Sequence, residues 1–158
     1  MNYKIVEREE IKLVGMTEKI VMPSNAIHYL WENFTKRCDE VDKVINKTIC
    51  YGVADKMLEA NIFDETVAYE VSEFTNIPEG MITKIIPKQK YLVFTHVGAI
   101  VGPKGEQFLS KTYENIYSKI IPTLEFEVDN TFNFELYDDR FSHALENSEF
   151  DIYVPIKE

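Results

Sequence analysis

The sequence predicts an α+β fold made of two βαββ modules, each with an antiparallel sheet and one long helix. Three observations support this prediction. An amphipathic helical stripe occurs in each half of the chain. Short runs that alternate apolar and polar residues, as strands do, surround each stripe. The order strand, helix, strand, strand occurs first from residue 3 and again from Lys90.

The first half begins with a strand and a helix. Residues 3–8 and 11–17 alternate in polarity, which predicts one strand with a bulge between the two runs. Ser24 or Asn25 then caps a helix that ends near Asp42. Its apolar stripe has helical spacing and consists of Ile27, Leu30, Trp31, Phe34, Cys38, Val41 and Ile45.

Strand candidates follow this helix. Residues 48–54 and 67–74 predict two strands, and the acidic residues of 55–65 predict a loop between them. A short apolar run at 81–87 leads into a strong strand at 90–97.

The second half repeats the pattern. The glycine-rich segment 98–105 leads into a helix that Pro122 ends. Within it, residues 102–105 lack the full phosphate-binding pattern and indicate a turn. The buried stripe of this helix is Leu109, Tyr113, Ile116 and Ile120. Strands are predicted near 133–138 and 150–156.

The repeat predicts a single domain over residues 1–158, with modules at about 1–87 and 88–158 related by a pseudo-two-fold axis. If each helix covers one face of its sheet, the opposite faces meet near the axis. We therefore expect a ligand cleft between the modules, on the faces away from the helices.

Composition excludes several function classes. The 158 residues carry a net charge of −10, which argues against binding to nucleic acid or anionic membranes and weakly favours cationic ligands. The chain contains no long apolar run and starts without a leader, so we expect a cytoplasmic protein.

No metal or organic cofactor is expected. Cys38 and Cys50 lack zinc-site spacing and are expected to be reduced thiols. His28, His96 and His143 also lack the spacing of metal ligands.

The predicted strand at 133–138 carries a carboxylate among aromatic residues. Alternation directs Phe132, Phe134 and Leu136 to one face, and Asn133, Glu135 and Tyr137 to the other. If the second face is solvated, Glu135 is an ordinary surface residue. If that face lines a cavity, Glu135 is a buried charge for which a cationic ligand is a suitable partner. The alternation alone does not choose between the two.

Three segments resemble the GyrI-like effector-binding domains, and the integron-associated effector-binding proteins most closely. They are LWENF at 30–34, KYLVFTHVG at 90–98, and FELYDDRF at 134–141 followed by DIYVPIK at 151–157. The resemblance implies two βαββ modules, a pocket between them, and a glutamate in the next-to-last strand that pairs with cationic, often aromatic, ligands. Glu135 occupies that position. The implied aromatic lining is looser and comprises Tyr51, Tyr69, Tyr137 and Trp31.

The resemblance implies a stand-alone binder of lipophilic cations, expected to be monomeric or weakly dimeric. Regulators of this family also carry a DNA-binding segment, whereas this domain is expected to fill the chain, so a sensor would need a protein partner. Two alternatives stay open. One is a hydrolase of strained cyclopropane-bearing toxins that uses Glu135, with Tyr51 or Tyr137 positioning water and Glu70 on an undetermined face. The other is an acidic protein-interaction module such as a gyrase inhibitor.

Overall fold

The computed structural model describes residues 1–59, 61–100, 102–142 and 146–157. In this part of the chain the elements are β1 (Tyr3–Arg8), β2 (Ile11–Val21), α1 (Ala26–Arg37), β3 (Cys50–Glu59), β4 (Ile62–Glu70), β5 (Ile82–Ile86), β6 (Gln89–Val97), α2 (Gly102–Glu114), β7 (Asn133–Tyr137) and β8 (Glu149–Pro155). A 3-10 turn at Cys38–Glu40 follows α1. A π-helical segment at Asn115–Ile120 and a 3-10 turn at Ile121–Thr123 follow α2. The predicted α+β class is confirmed.

The strands form one antiparallel sheet with the order β1-β6-β8-β7-β3-β4-β2-β5. Pairing between β3 and β7 joins the two halves, so the sheets predicted for the two modules are continuous. From one edge to the centre the strands are β1, β6, β8 and β7, and from the other edge they are β5, β2, β4 and β3. The two series correspond strand by strand, as a pseudo-two-fold relation requires. None of the described helices is long and apolar enough to cross a membrane.

The two halves exchange their first strands. β1 precedes β2 in the chain but pairs with β6, and β5 precedes β6 but pairs with β2. The prediction of a single bulged strand over residues 3–17 is therefore wrong. Glu9 and Glu10 instead connect two strands that lie in opposite halves of the sheet. The division of the chain near residue 87 stays a prediction.

A long hairpin replaces the acidic loop predicted at 55–65. β3 extends to Glu59 and β4 begins at Ile62, with Ala54 paired to Glu65 in the ladder. Charged residues favour a loop in the sequence, but here they alternate along a partly exposed pair of strands. Lys56 Nζ lies 3.3 Å from Asp64 Oδ2, which is a cross-strand ion pair of this kind.

Both helices begin close to their predicted starts. The Ala26 N–H donates a hydrogen bond to the side-chain Oγ of Ser24 at 2.9 Å. Ser24 immediately precedes Asn25, the other residue predicted to cap α1. α1 buries Leu30 and Phe34 and ends at Arg37, which is earlier than its apolar stripe. Residues 102–105 form the first turn of α2 rather than a separate turn.

The two faces of the sheet bury different clusters. One face carries a core supplied entirely by strands: Ile11, Leu13, Tyr51, Val53, Ala68, Ile86, Tyr91, Val93, Phe134, Leu136 and Tyr153. On the other face, α1 packs over Val14, Val67 and Tyr69. The region of α2 packs on the same face, over Leu92, Phe94, Phe150 and Ile152. The two helices thus lie side by side on one face, on either side of the central β3–β7 pair.

Candidate functional site

Glu135 lies in the middle of β7 and faces the helices. Its Oε2 accepts a hydrogen bond from the Tyr113 hydroxyl of α2 at 2.6 Å. Its Oε1 accepts one from the Tyr137 hydroxyl at 2.8 Å. Phe134 and Leu136 belong to the core of the opposite face, so the alternation predicted for this strand is confirmed. The partly buried Glu135 carboxylate is therefore held by two phenol groups.

Gly52 has no side chain, so other groups approach closely beside the Glu135 carboxylate. It pairs directly with Glu135 across the β3–β7 ladder. A Cβ atom placed on Gly52 would lie 3.2 Å from Glu65 Oε1, 3.3 Å from Trp31 Cζ2 and 3.7 Å from Glu135 Oε1. The absence of a side chain at Gly52 thus lets two carboxyl groups and an indole ring converge on one point.

Aromatic rings enclose this point from both helices. The Trp31 ring of α1 meets the Tyr137 ring edge-on, with centroids 5.1 Å apart and planes at 79°. Tyr113 stacks on Tyr117 with centroids 6.5 Å apart. The residues that meet here, which we call the Glu135 site, are Trp31, Gly52, Glu65, Tyr113, Glu135 and Tyr137. The site is a carboxylate environment with aromatic walls between two helices.

Burial controls the electrostatics of the site. Desolvation raises the pKa of Glu135 above its ordinary value, and the hydrogen bonds from Tyr113 and Tyr137 partly oppose that rise in pKa. Burial, and then the negative charge of Glu135, raise the pKa of both tyrosines well above their usual range. The tyrosines therefore act as hydrogen-bond donors to the Glu135 carboxylate.

Glu65 is the second acid of the site. Only 5% of its surface is exposed. Burial raises the pKa of Glu65 well above its usual value, and the charges of Glu135 and Asp55 raise it further. Since their Oε1 atoms lie 3.2 and 3.7 Å from one point, they are within about 7 Å of each other. Two ionised groups at that distance repel by about 2 kcal/mol at an effective dielectric constant of about 20.

The structure brings together three of the five ligand-binding residues predicted from sequence. Glu135, Tyr137 and Trp31 meet in the site. Tyr69 lies on the same face, but it packs under α1, with its ring 5.4 Å from that of Phe34. A ligand-binding role for these residues stays a prediction.

Tyr51 is separated from the site because it points to the opposite face. There its hydroxyl accepts a hydrogen bond from Arg8 at 2.8 Å and donates one to Glu70 at 2.9 Å. Glu70, the second acid considered from sequence, belongs to this network too. The phase of alternation in β3 places Cys50, Gly52 and Ala54, not Tyr51, on the face that carries Glu135.

Sequence reasoning missed Glu65, Gly52 and the site role of Tyr113. Glu65 was hidden in a segment that looked like an acidic loop. Tyr113 was assigned only to the buried stripe of its helix, because that spacing does not distinguish a core ring from a ligand-facing one. Gly52 did carry a signal, since a glycine inside a strand often marks the close approach of a ligand or another group.

Within the described residues, the expected cleft does not form on the faces away from the helices. We expected the faces away from the helices to form it, but those faces are filled by the strand core. Glu135 instead lies under the gap between α1 and α2. Two surface grooves, of about 640 and 390 Å³, are lined by other residues.

None of the described histidines or cysteines forms a hydrogen bond with the Glu135 carboxylate. His96 is buried and its Nδ1 lies 2.9 Å from Thr112 Oγ1, whereas His28 pairs with Glu32 on the surface of α1. His143 lies outside the described residues. Cys38 and Cys50 are free thiols. Within the described ranges, no three His, Cys, Asp or Glu side chains are grouped to hold a metal ion.

Comparisons with known proteins agree with this architecture. The transcriptional regulator BrlR of Pseudomonas aeruginosa is 34% identical over 157 residues. That alignment covers 99% of this chain and 56% of BrlR, so the chain spans little more than half the length of this relative.

Solved structures share the fold at low sequence identity. The structure of SAV2435 bound to tetraphenylphosphonium has a TM-score of 0.73 at 20% identity and covers 99% of this chain and 94% of its own. An integron cassette protein from the mobile metagenome of Vibrio cholerae has a TM-score of 0.67 at 15% identity, over 98% and 95% of the two chains. The family model of the integron-associated effector binding protein matches residues 4–156. This chain therefore belongs to the family of integron-associated effector-binding proteins.

Proposed function

We propose that this domain binds a lipophilic aromatic cation in the Glu135 site. One observation carries the proposal: a desolvated pair of acids has aromatic walls and no cationic side chain. Among the ion pairs of the described residues, none involves Glu65 or Glu135. An isolated buried carboxylate is costly, and a cation that pairs with it removes that cost.

The aromatic walls provide the second attraction. A cation beside Glu135 would contact the faces or edges of Trp31, Tyr113 and Tyr137, and each cation–π contact contributes about 0.5–2 kcal/mol. Flat rings and one central charge impose little shape selection, so we expect several cations to bind. The family membership and the tetraphenylphosphonium bound to SAV2435 support this choice of ligand class.

Calorimetric and thermal-shift titration with tetraphenylphosphonium tests the proposal. At about 100 times its dissociation constant, a ligand should stabilise the folded wild type by about 2.7 kcal/mol. Glu135→Gln should lose that stabilisation. Glu125→Gln is the matched control, because it removes one negative charge from an exposed position. Triphenylphosphine oxide, a neutral analogue, should bind neither protein.

Wild type and the two variants together separate specific pairing from general attraction by an acidic protein. Equal stabilisation of wild type and Glu135→Gln would refute the proposal, since the central carboxylate would then contribute nothing. Equal loss in Glu135→Gln and Glu125→Gln would also contradict it, because net charge rather than the site would explain binding.

A further inference from the structure

Glu65 points into the same opening as Glu135, but from the other side of the central strand pair. It lies in β4, next to β3, and its backbone carbonyl accepts a hydrogen bond from Thr17 Oγ1 at 3.1 Å. Its carboxyl Oε1 lies 3.2 Å from the position that a Cβ of Gly52 would occupy. Glu65 is thus 95% buried, and its carboxyl group approaches the same point beside Gly52 as Glu135 Oε1.

The carboxyl group of Glu65 has no partner within the described part of the chain. No hydrogen bond to its side chain occurs there, whereas both oxygens of Glu135 accept one. The nearby groups are also unsuitable as counter-ions. Asp55 of β3 and Glu135 of β7 are acidic, Tyr137 is a phenol, and α1 contributes the Trp31 indole.

Lys84 is the basic residue that pairs with Asp55, the other acid acting on Glu65. Lys84 of β5 and Asp55 of β3 form an ion pair on the opposite face of the sheet. It therefore neutralises Asp55 rather than Glu65. A buried carboxyl group without a hydrogen bond or a counter-ion is costly to keep, and it marks a place where a ligand group completes the site.

We infer that the Glu135 site accepts a dication, with one positive group beside Glu135 and the second beside Glu65. This inference rests on the proposed function and specifies its ligand class. The two carboxyl oxygens lie within about 7 Å of each other on either side of Gly52. A flat ligand that lies across the two carboxyl groups therefore places one positive group beside each of them, with its rings against Trp31 and Tyr137.

Proton release accompanies binding of such a ligand. The raised pKa of Glu65 means that its carboxyl group keeps its proton in the empty site more readily than an exposed glutamate does. A monocation needs only the Glu135 carboxylate, so Glu65 stays protonated. A dication breaks the Glu65 O–H bond, the proton passes to the buffer, and the carboxylate pairs with the second positive group.

Two probes of nearly the same shape test this inference. They are 1-methyl-4-phenylpyridinium, a monocation, and 1,1′-dimethyl-4,4′-bipyridinium, a dication. We expect wild type to bind the dication at least about tenfold more tightly, a difference of about 1.4 kcal/mol. Calorimetry in two buffers with different ionisation enthalpies should show more proton release for the dication than for the monocation. Both measurements use wild type, so they do not depend on the folding of a variant.

Variants then assign the effect to a residue. Glu65→Gln should lose the preference for the dication and the additional proton release. Glu59→Gln, an exposed change at the end of the neighbouring strand β3, is the matched control and should behave as wild type. Equal affinities and equal proton release for both probes in wild type would overturn the inference while leaving the proposed function intact. Failure of both probes to bind a wild type that still binds tetraphenylphosphonium would also overturn the inference and leave the proposed function intact.

Discussion

The hydrogen bond from Tyr113 to Glu135 allows the electrostatics of the site to be tested without any ligand. The hydroxyl lies 2.6 Å from Oε2, and a hydrogen bond to a charged group contributes about 1.5–3 kcal/mol. One pKa unit corresponds to about 1.4 kcal/mol. Tyr113→Phe removes this donor and keeps the ring, so the pKa of Glu135 should rise by about one to two units.

The assay is a carbon-detected NMR titration of the glutamate carboxyl groups, with Glu135→Gln used to assign the Glu135 signal. Tyr117→Phe is the matched control. Tyr117 stacks on Tyr113, but its hydroxyl accepts a hydrogen bond from Asn133 Nδ2 at 3.0 Å and not from Glu135. That variant should leave the pKa of Glu135 near its wild-type value.

The same titration would refute the reasoning in either of two ways. An unchanged pKa of Glu135 in Tyr113→Phe would mean that the phenol does not stabilise the carboxylate. A similar rise in Tyr113→Phe and Tyr117→Phe would assign the effect to general changes in packing of the helix.

Three further predictions concern stability and access to the site. The folded state raises the pKa of Glu65 above its reference value of 4.5, so folding retains a proton and wild-type stability should fall as pH rises above that value. In urea unfolding, the free energy of unfolding of Glu65→Gln minus that of wild type should therefore be larger at pH 8 than at pH 4. The same difference at both pH values would contradict this prediction. Gly15→Ala should lower the free energy of unfolding by at least about 1–3 kcal/mol in the same assay, because its Cβ would lie 1.9 Å from the backbone oxygen of Val67; a wild-type midpoint would show that the strands can separate without cost. Gly52→Ala should fold, since its closest contacts are side-chain ends, but calorimetry should show tetraphenylphosphonium binding at least about tenfold more weakly, and undiminished affinity would place the ligand elsewhere.

Much of the fold follows from local periodicity. The stripe through Leu30 and Phe34 predicted α1, and the alternation around Glu135 predicted both β7 and the face to which Glu135 points. These elements are easy to predict because their buried residues recur at the period of one helix or one strand. The same reasoning wrongly predicted a loop for the acidic stretch up to Glu65. The strands in this stretch pair with each other but carry no alternating apolar pattern.

The composition of the site was harder to predict than its central residue. Alternation states which residues of one strand share a face, but it does not state how the phase of one strand matches that of the next. Only the register of Gly52 opposite Glu135 shows that Tyr51 points away and that Glu65 points in. For a site assembled from several strands, the sequence therefore predicts which residues of each strand share a face, but not which residues of different strands meet.

The exchange of first strands has a consequence for how the molecule can come apart. A fragment comprising residues 1–80 would contain β1 without its partner β6, and a fragment comprising the rest would contain β5 without its partner β2. Each fragment would expose unpaired backbone groups that only the other can satisfy. Each half of the sheet thus contains the first strand of the other half, and we expect the two halves to unfold as one cooperative unit. Amide exchange at β1 and β5 should then be no faster than opening of the central β3–β7 pair.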